Sequence, residues 1–113
     1  MTDDARSKFI SRTEEYVLLS VWRLKDKAYA VSVRKELIKT TGKTWAFGAL
    51  FVTLSRLEKK GFLESRLSDP TPKRGGKSKR YYTLSPHGVK TLADVKRVHN
   101  SVWAGTEDLP SVP

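Results

Sequence analysis

A mostly helical chain with a minor β component is expected, and three observations lead there. Apolar residues recur at helical spacing in three successive stretches up to Gly61. The period then shortens to two on either side of a basic loop rich in proline and glycine, and helical spacing returns after Ser85. Three helices, a two-stranded β wing and one further helix make a winged helix-turn-helix with a C-terminal helix. No internal repeat competes, and 113 residues suit a single domain.

The first twelve residues mix charges of both signs with only Phe9 and Ile10 to bury, and read as an N-terminal arm, frayed or leading into helix. Ser11 and Glu14 have capping-box spacing, with Thr13 an equally good cap, before the apolar run Val17, Leu18, Val21, Trp22 and Leu24. That first helix should stop near Lys25–Lys27. A second pattern opens after Tyr29, with Val31, Val33, Leu37 and Ile38 apolar and Gly42 as its stop. The third occupies Trp45–Gly61, with Leu50, Leu54 and Leu57 at i, i+4 and i+7 forming its core side. A short connection holding a glycine between the second and third helices is the layout of a helix-turn-helix.

Leu63, Ser65 and Leu67 alternate with Glu64 and Arg66 as a half-exposed strand, and Arg80–Leu84, rich in aromatic and branched residues, is its partner. The loop between them, SDPTPKRGGKSK, is longer than a tight hairpin needs. Ser85 followed by Pro86 is a helix entry, and the last helix runs to about Trp103. The expected organisation is therefore an arm over 1–12, a winged helix-turn-helix over 13–85, a dimerisation helix over 86–103 and a disordered tail over 104–113.

Twenty-two Lys and Arg against twelve Asp and Glu leave a formal charge of +10. Such an excess costs self-repulsion and favours an anionic partner. No window approaches the roughly eighteen uncharged apolar residues of a membrane span, and the opening MTDDARSKF has no apolar signal core, so a cytoplasmic protein with no membrane partner is expected. The absence of cysteine removes disulfides, thiolate zinc sites and cysteine nucleophiles. His87 and His99 have no further ligand at zinc spacing, and no nucleophile, base and orienting group come together. No metal, cofactor or enzymatic activity is expected.

On the outer side of the third helix stand Gly48, Val52, Arg56 and Lys59, with Ala49 and Thr53 flanking. Arg56 suits the two acceptors of guanine, and the methyls of Ala49, Val52 and Thr53 suit thymine. Gly48 and Ala49 let the helix start approach a groove closely. The competing reading of Arg56 is a surface ion pair with a nearby glutamate. Trp45 reads as packing under the turn. In the wing, Lys73, Arg74, Lys77, Lys79 and Arg80 would follow phosphates or enter the minor groove. Alone, such a loop would be only a solvated charge run; after a helix-turn-helix, contact with nucleic acid becomes the better reading. Tyr81 and Tyr82 suggest base stacking, but alternation turns Tyr82 and Leu84 inward, towards a core.

The order GALFVTLSRLEKKGFLES followed by PKRGGKSKRYYTLSPHG resembles PadR-type transcriptional regulators, over about Glu15 to Trp103. The resemblance is carried by Gly48-Ala49-Leu50-Phe51, by Arg56-Leu57-Glu58-Lys59-Lys60-Gly61, and by Lys79–Leu84 with Pro86 and Gly88. It implies a dimeric bacterial repressor whose third helix enters the major groove and whose C-terminal helix pairs with its partner. Phe51 stands where the family often has tyrosine, and a single helix stands where many members carry a longer C-terminal domain.

Leu92, Val95, Val98, His99 and Val102 form an apolar seam on that helix, with Trp103 at its end. A second copy would cover the seam; packing back on Val17, Val21 and Trp22 is the competing arrangement. Trp103 would line the pocket of any small-molecule effector. The expectation is thus a sequence-specific regulator of double-stranded DNA, a dimeric repressor on a palindromic operator. A non-catalytic protein-interaction module and a non-specific RNA binder are the competing functions.

Overall fold

The computed structural model describes residues 10–68 and 78–111. Helix α1 (Arg12–Leu24) leads through a 3-10 turn (Lys25–Lys27) to α2 (Ala30–Thr41) and α3 (Phe47–Lys59). Strands β1 (Leu63–Leu67) and β2 (Arg80–Leu84) pair antiparallel, with Leu63 opposite Leu84 and Leu67 opposite Arg80. Helix α4 (Pro86–Trp103) completes the fold. This is a winged helix-turn-helix with an added C-terminal helix, as the sequence patterns predict.

Local chemistry sets the helix ends. The Ser11 hydroxyl accepts from the Glu14 amide at 3.1 Å while the Glu14 carboxylate accepts from the Ser11 amide at 2.8 Å, closing the capping box on α1. Ser32 does the reciprocal work on α2, accepting from the Tyr29 amide at 3.0 Å. Gly42 ends α2 at φ 70°, a left-handed conformation that side chains disfavour. Ser85 caps α4 by accepting from the Gly88 amide at 3.0 Å, with Pro86 at the first helical position.

The core lies where α1, α2 and α3 meet the sheet: Val17, Leu18, Val21, Val33, Leu37, Leu50, Leu54, Leu57, Phe62, Leu63 and Tyr82 are all buried. Each large apolar side chain there contributes about 1.5–3 kcal/mol relative to exposure. An ion pair from Arg23 to Glu36 at 2.7 Å ties α1 to α2.

Two long-range features have no local sequence signal. The segment between α1 and α2 joins the sheet: Tyr29 bridges Tyr81, and the Tyr82 amide donates to the Ala28 carbonyl at 2.8 Å. The N-terminus of α4 is clasped to the end of α3. There the Ser85 hydroxyl donates to the Gly61 carbonyl at 2.5 Å, the Ser85 amide donates to the Phe62 carbonyl at 3.0 Å, and the His87 ring stacks on Phe62 at 4.8 Å. Past α4, the stretch expected as a disordered tail carries local turns, with the Thr106 amide bonded to the Trp103 carbonyl and the Leu109 amide to that of Thr106.

Candidate nucleic-acid interface

The turn before α3 is wired to α2, which fixes how α3 is presented. The Arg34 side chain donates to the Trp45 carbonyl at 2.6 Å, and the Trp45 indole donates to the Thr41 hydroxyl at 3.0 Å. Trp45 is half-buried against the core, in the packing role expected of it.

Burial of Leu50, Leu54 and Leu57 turns the opposite side of α3 to solvent. Gly48, Ala49, Val52, Ser55, Arg56 and Lys59 are exposed there. The Arg56 side chain makes no ion pair or hydrogen bond with any described residue; the nearby Glu58 instead accepts from the Ser65 hydroxyl at 2.6 Å. Thr53 corrects the sequence reading. It is 9% exposed, lying beside the leucine stripe, and its hydroxyl is spent on the Ala49 carbonyl at 3.0 Å. Conversely, Phe47 and Phe51 are 50% and 53% exposed, and sequence reasoning left them out. Their spacing of four residues, off the leucine stripe, was the available signal.

At the root of the wing, the Lys79 ammonium lies 4.2 Å from the Tyr29 ring, Arg66 stands over Tyr81 at 5.2 Å, and the two tyrosine rings are 5.4 Å apart. These contacts hold two cations against the face of the sheet opposite the core. Arg80 lies at the wing root too, exposed, donating to the Ser65 hydroxyl at 2.8 Å. Arg80 is thus joined to the last turn of α3 through Ser65 and Glu58, while Lys79 stands on the other face of the ribbon against Tyr29. Lys73, Arg74 and Lys77 lie outside the described residues.

The seam of α4 divides. Leu92 packs on the domain core and Val95 is half-buried, whereas Val98, His99, Val102 and Trp103 are exposed, His99 stacked on Trp103 at 5.7 Å. Leu19 and Trp22 of α1 are exposed beside Val89 and Leu92, lining an apolar groove of about 570 Å³.

Two ionisable groups are displaced from their ordinary values. Burial pushes the Glu14 carboxyl up, but the Lys60 hydrogen bond at 2.8 Å, the Ser11 amide and the Lys60 charge outweigh it, leaving the carboxyl below its usual range. Burial raises the Tyr82 phenol, opposed by Arg80 and reinforced by Glu58. Neither residue faces the outer side of α3, so both act on stability. Among the described residues no cluster of three or more His, Asp or Glu is placed to hold a metal ion, and no helix is long and apolar enough to cross a membrane.

The model of the PadR-like transcriptional regulator family matches residues 18–94, from within α1 to the middle of α4. The chain belongs to the PadR-like family. It is accordingly a DNA-binding transcriptional regulator and not an enzyme. Solved structures agree in fold. RosR from H. salinarum, in its RosR-S4 complex, superposes with a TM-score of 0.70 at 20% identity, over 92% of this chain and 83% of that one. A PadR-like regulator from Bacillus cereus gives 0.68 at 18% identity, over 89% and 93%. A transcriptional regulator from Clostridium thermocellum gives 0.67 at 18%, over 96% and 99%. No curated protein sequence matches significantly. The PadR-like match contains all of α3 and the wing, while Val95, Val98, His99, Val102 and Trp103 fall beyond it.

Proposed function

We propose that the protein is a homodimeric repressor that binds a palindromic double-stranded operator, each copy setting α3 in a major groove and its wing on the adjoining backbone. The observation that carries this reading is the outer side of α3: an exposed face whose Arg56 side chain has no partner among the described residues, beside a wing root where Arg80 is exposed and Lys79 half-buried. Gly48, Ala49 and Val52 would approach base edges, Arg56 would pair with a guanine, and Lys73, Arg74, Lys77, Lys79 and Arg80 would neutralise phosphates. The formal charge of +10 supports the same partner.

The dimer reading draws on α4. Val98, Val102 and Trp103 are exposed along its second half, and Leu19 and Trp22 add apolar surface alongside. A second copy would bury both, with Leu92 and Val95 at the inner edge and His99 and Trp103 near the two-fold axis. Any small-molecule effector would occupy the space this pairing encloses. With two-fold symmetry, half-sites should lie about one helical turn apart.

The deciding experiment selects bound duplexes from a random pool and compares them with single-stranded DNA and RNA pools. A palindromic duplex should emerge. Preference for unpaired strands, or no enrichment in any pool, would sink the proposal.

A further inference from the structure

We propose that the first half of α3 selects its operator through thymine methyl groups, so that the base pairs it meets are read by the C5-methyl, and hydrogen bonding to a base is left to Arg56 further along the helix. This rests on the major-groove placement proposed above and deepens it by naming the groove feature that is read.

The outer face of α3 changes character along its length. Phe47, Gly48, Ala49, Phe51 and Val52 open it, all exposed and none with a polar side chain. Ser55, Arg56 and Lys59 supply the polar groups only about two turns further on. Thr53 adds no free donor, since it is buried and its hydroxyl donates to the Ala49 carbonyl. When a helix of this kind docks, its N-terminal residues meet the base edges. Here that half offers carbon alone.

Of the four bases, only thymine presents a methyl group in the major groove. Set against the amino group of adenine or cytosine, or the oxygen of guanine, an apolar side chain would strip water from a donor or acceptor without replacing the bond, which is unfavourable. Set against thymine methyls, Phe51 and Val52, each 53% exposed, would lose surface that is otherwise left in water. The cations beyond them, Arg56 and Lys59, match the charge of a duplex and argue against a neutral protein partner for this face.

The test uses the full chain and the duplex selected from the random pool, with thymine replaced by deoxyuridine inside the half-sites. That change removes methyls and leaves the hydrogen-bonding atoms in place. Affinity should fall about fourfold for each methyl contacted, the worth of one buried carbon group. The same replacement outside the half-sites should do nothing. Phe51→Ala, and separately Val52→Ser, should bind the thymine and deoxyuridine duplexes more nearly alike, with melting temperatures verifying that each variant is folded. Equal binding of both duplexes by the unmodified protein would overturn the inference while leaving DNA recognition intact. A variant that changes the sedimentation coefficient instead would place another copy on this face and overturn it as well. Failure to bind any duplex would defeat the major-groove placement itself.

Discussion

A Cβ atom added at Gly88 would sit 2.2 Å from the carbonyl oxygen of Phe62, inside any permissible contact with backbone. That oxygen already accepts from the Ser85 amide, so it cannot move aside without breaking the clasp between α3 and α4. Gly88→Ala should therefore lower the unfolding free energy by about 2–4 kcal/mol, as a backbone overlap in a packed site does. Urea unfolding checks it; a loss within the range of surface substitutions would show that α4 can shift freely.

Acid should unfold the protein partly through Glu14. Its carboxyl is held below the ordinary value by Lys60 and Ser11, so the folded chain takes up the proton at lower pH than the unfolded chain. The resulting stability is fully present above about pH 4.3, the unfolded value, and is lost as pH falls through the lower folded value. Lys60→Met should move the onset of acid unfolding to higher pH. Because Lys60 is half-exposed, the loss at neutral pH should be about 1 kcal/mol. Circular dichroism followed against pH measures both.

Arg56→Ala should relax preference at one base pair in each half-site by roughly 5- to 150-fold, the worth of a bidentate contact to guanine, and leave folding unchanged. Competition between operator variants measures it. Equal losses on every sequence would make Arg56 a phosphate contact.

Removing Lys79, or Lys77 in the loop, should weaken all duplexes by similar factors. If the dimer neutralises about eight phosphates, log affinity should fall with log salt at a slope near −7. A flat dependence would refute the electrostatic contribution of the wing.

Val98→Asp should leave the domain folded and abolish pairing, because Val98 is exposed on α4 and outside the core. Sedimentation velocity reads the outcome. A wild-type chain that is already monomeric at micromolar concentration would refute pairing through α4.

The helix boundaries were legible because their determinants are local: Ser11 with Glu14, Gly42, and Ser85 with Pro86 lie within a few residues of what they cap. Both strands were legible for the same reason, through alternation and aromatic content. What was hidden joins distant residues. Lys60 reaches Glu14 across 46 positions, and Tyr82 draws the Ala28 segment onto the sheet through a backbone bond that no side-chain pattern announces. On α3 the leucine stripe identified the buried side, but its width was misjudged. Thr53 falls within it, while the large rings of Phe47 and Phe51, which hydrophobicity alone would send inward, fall outside. The places of Phe62 and Gly88 have no local signal either: they follow from the clasp between α3 and α4, where the Phe62 carbonyl leaves no room for a side chain at position 88.

Ser65 accepts from Arg80 on β2 and donates to Glu58 in the last turn of α3, so one hydroxyl joins the helix to both strands of the wing. With Leu57, Leu63 and Tyr82 packed in the core beside it, the separation of α3 from the wing root is set before any ligand arrives. A duplex gripped by both must match that fixed span, which makes the pair a gauge. Sequences that narrow or widen the groove would then be accepted or refused on their dimensions, even where none of their bases is touched.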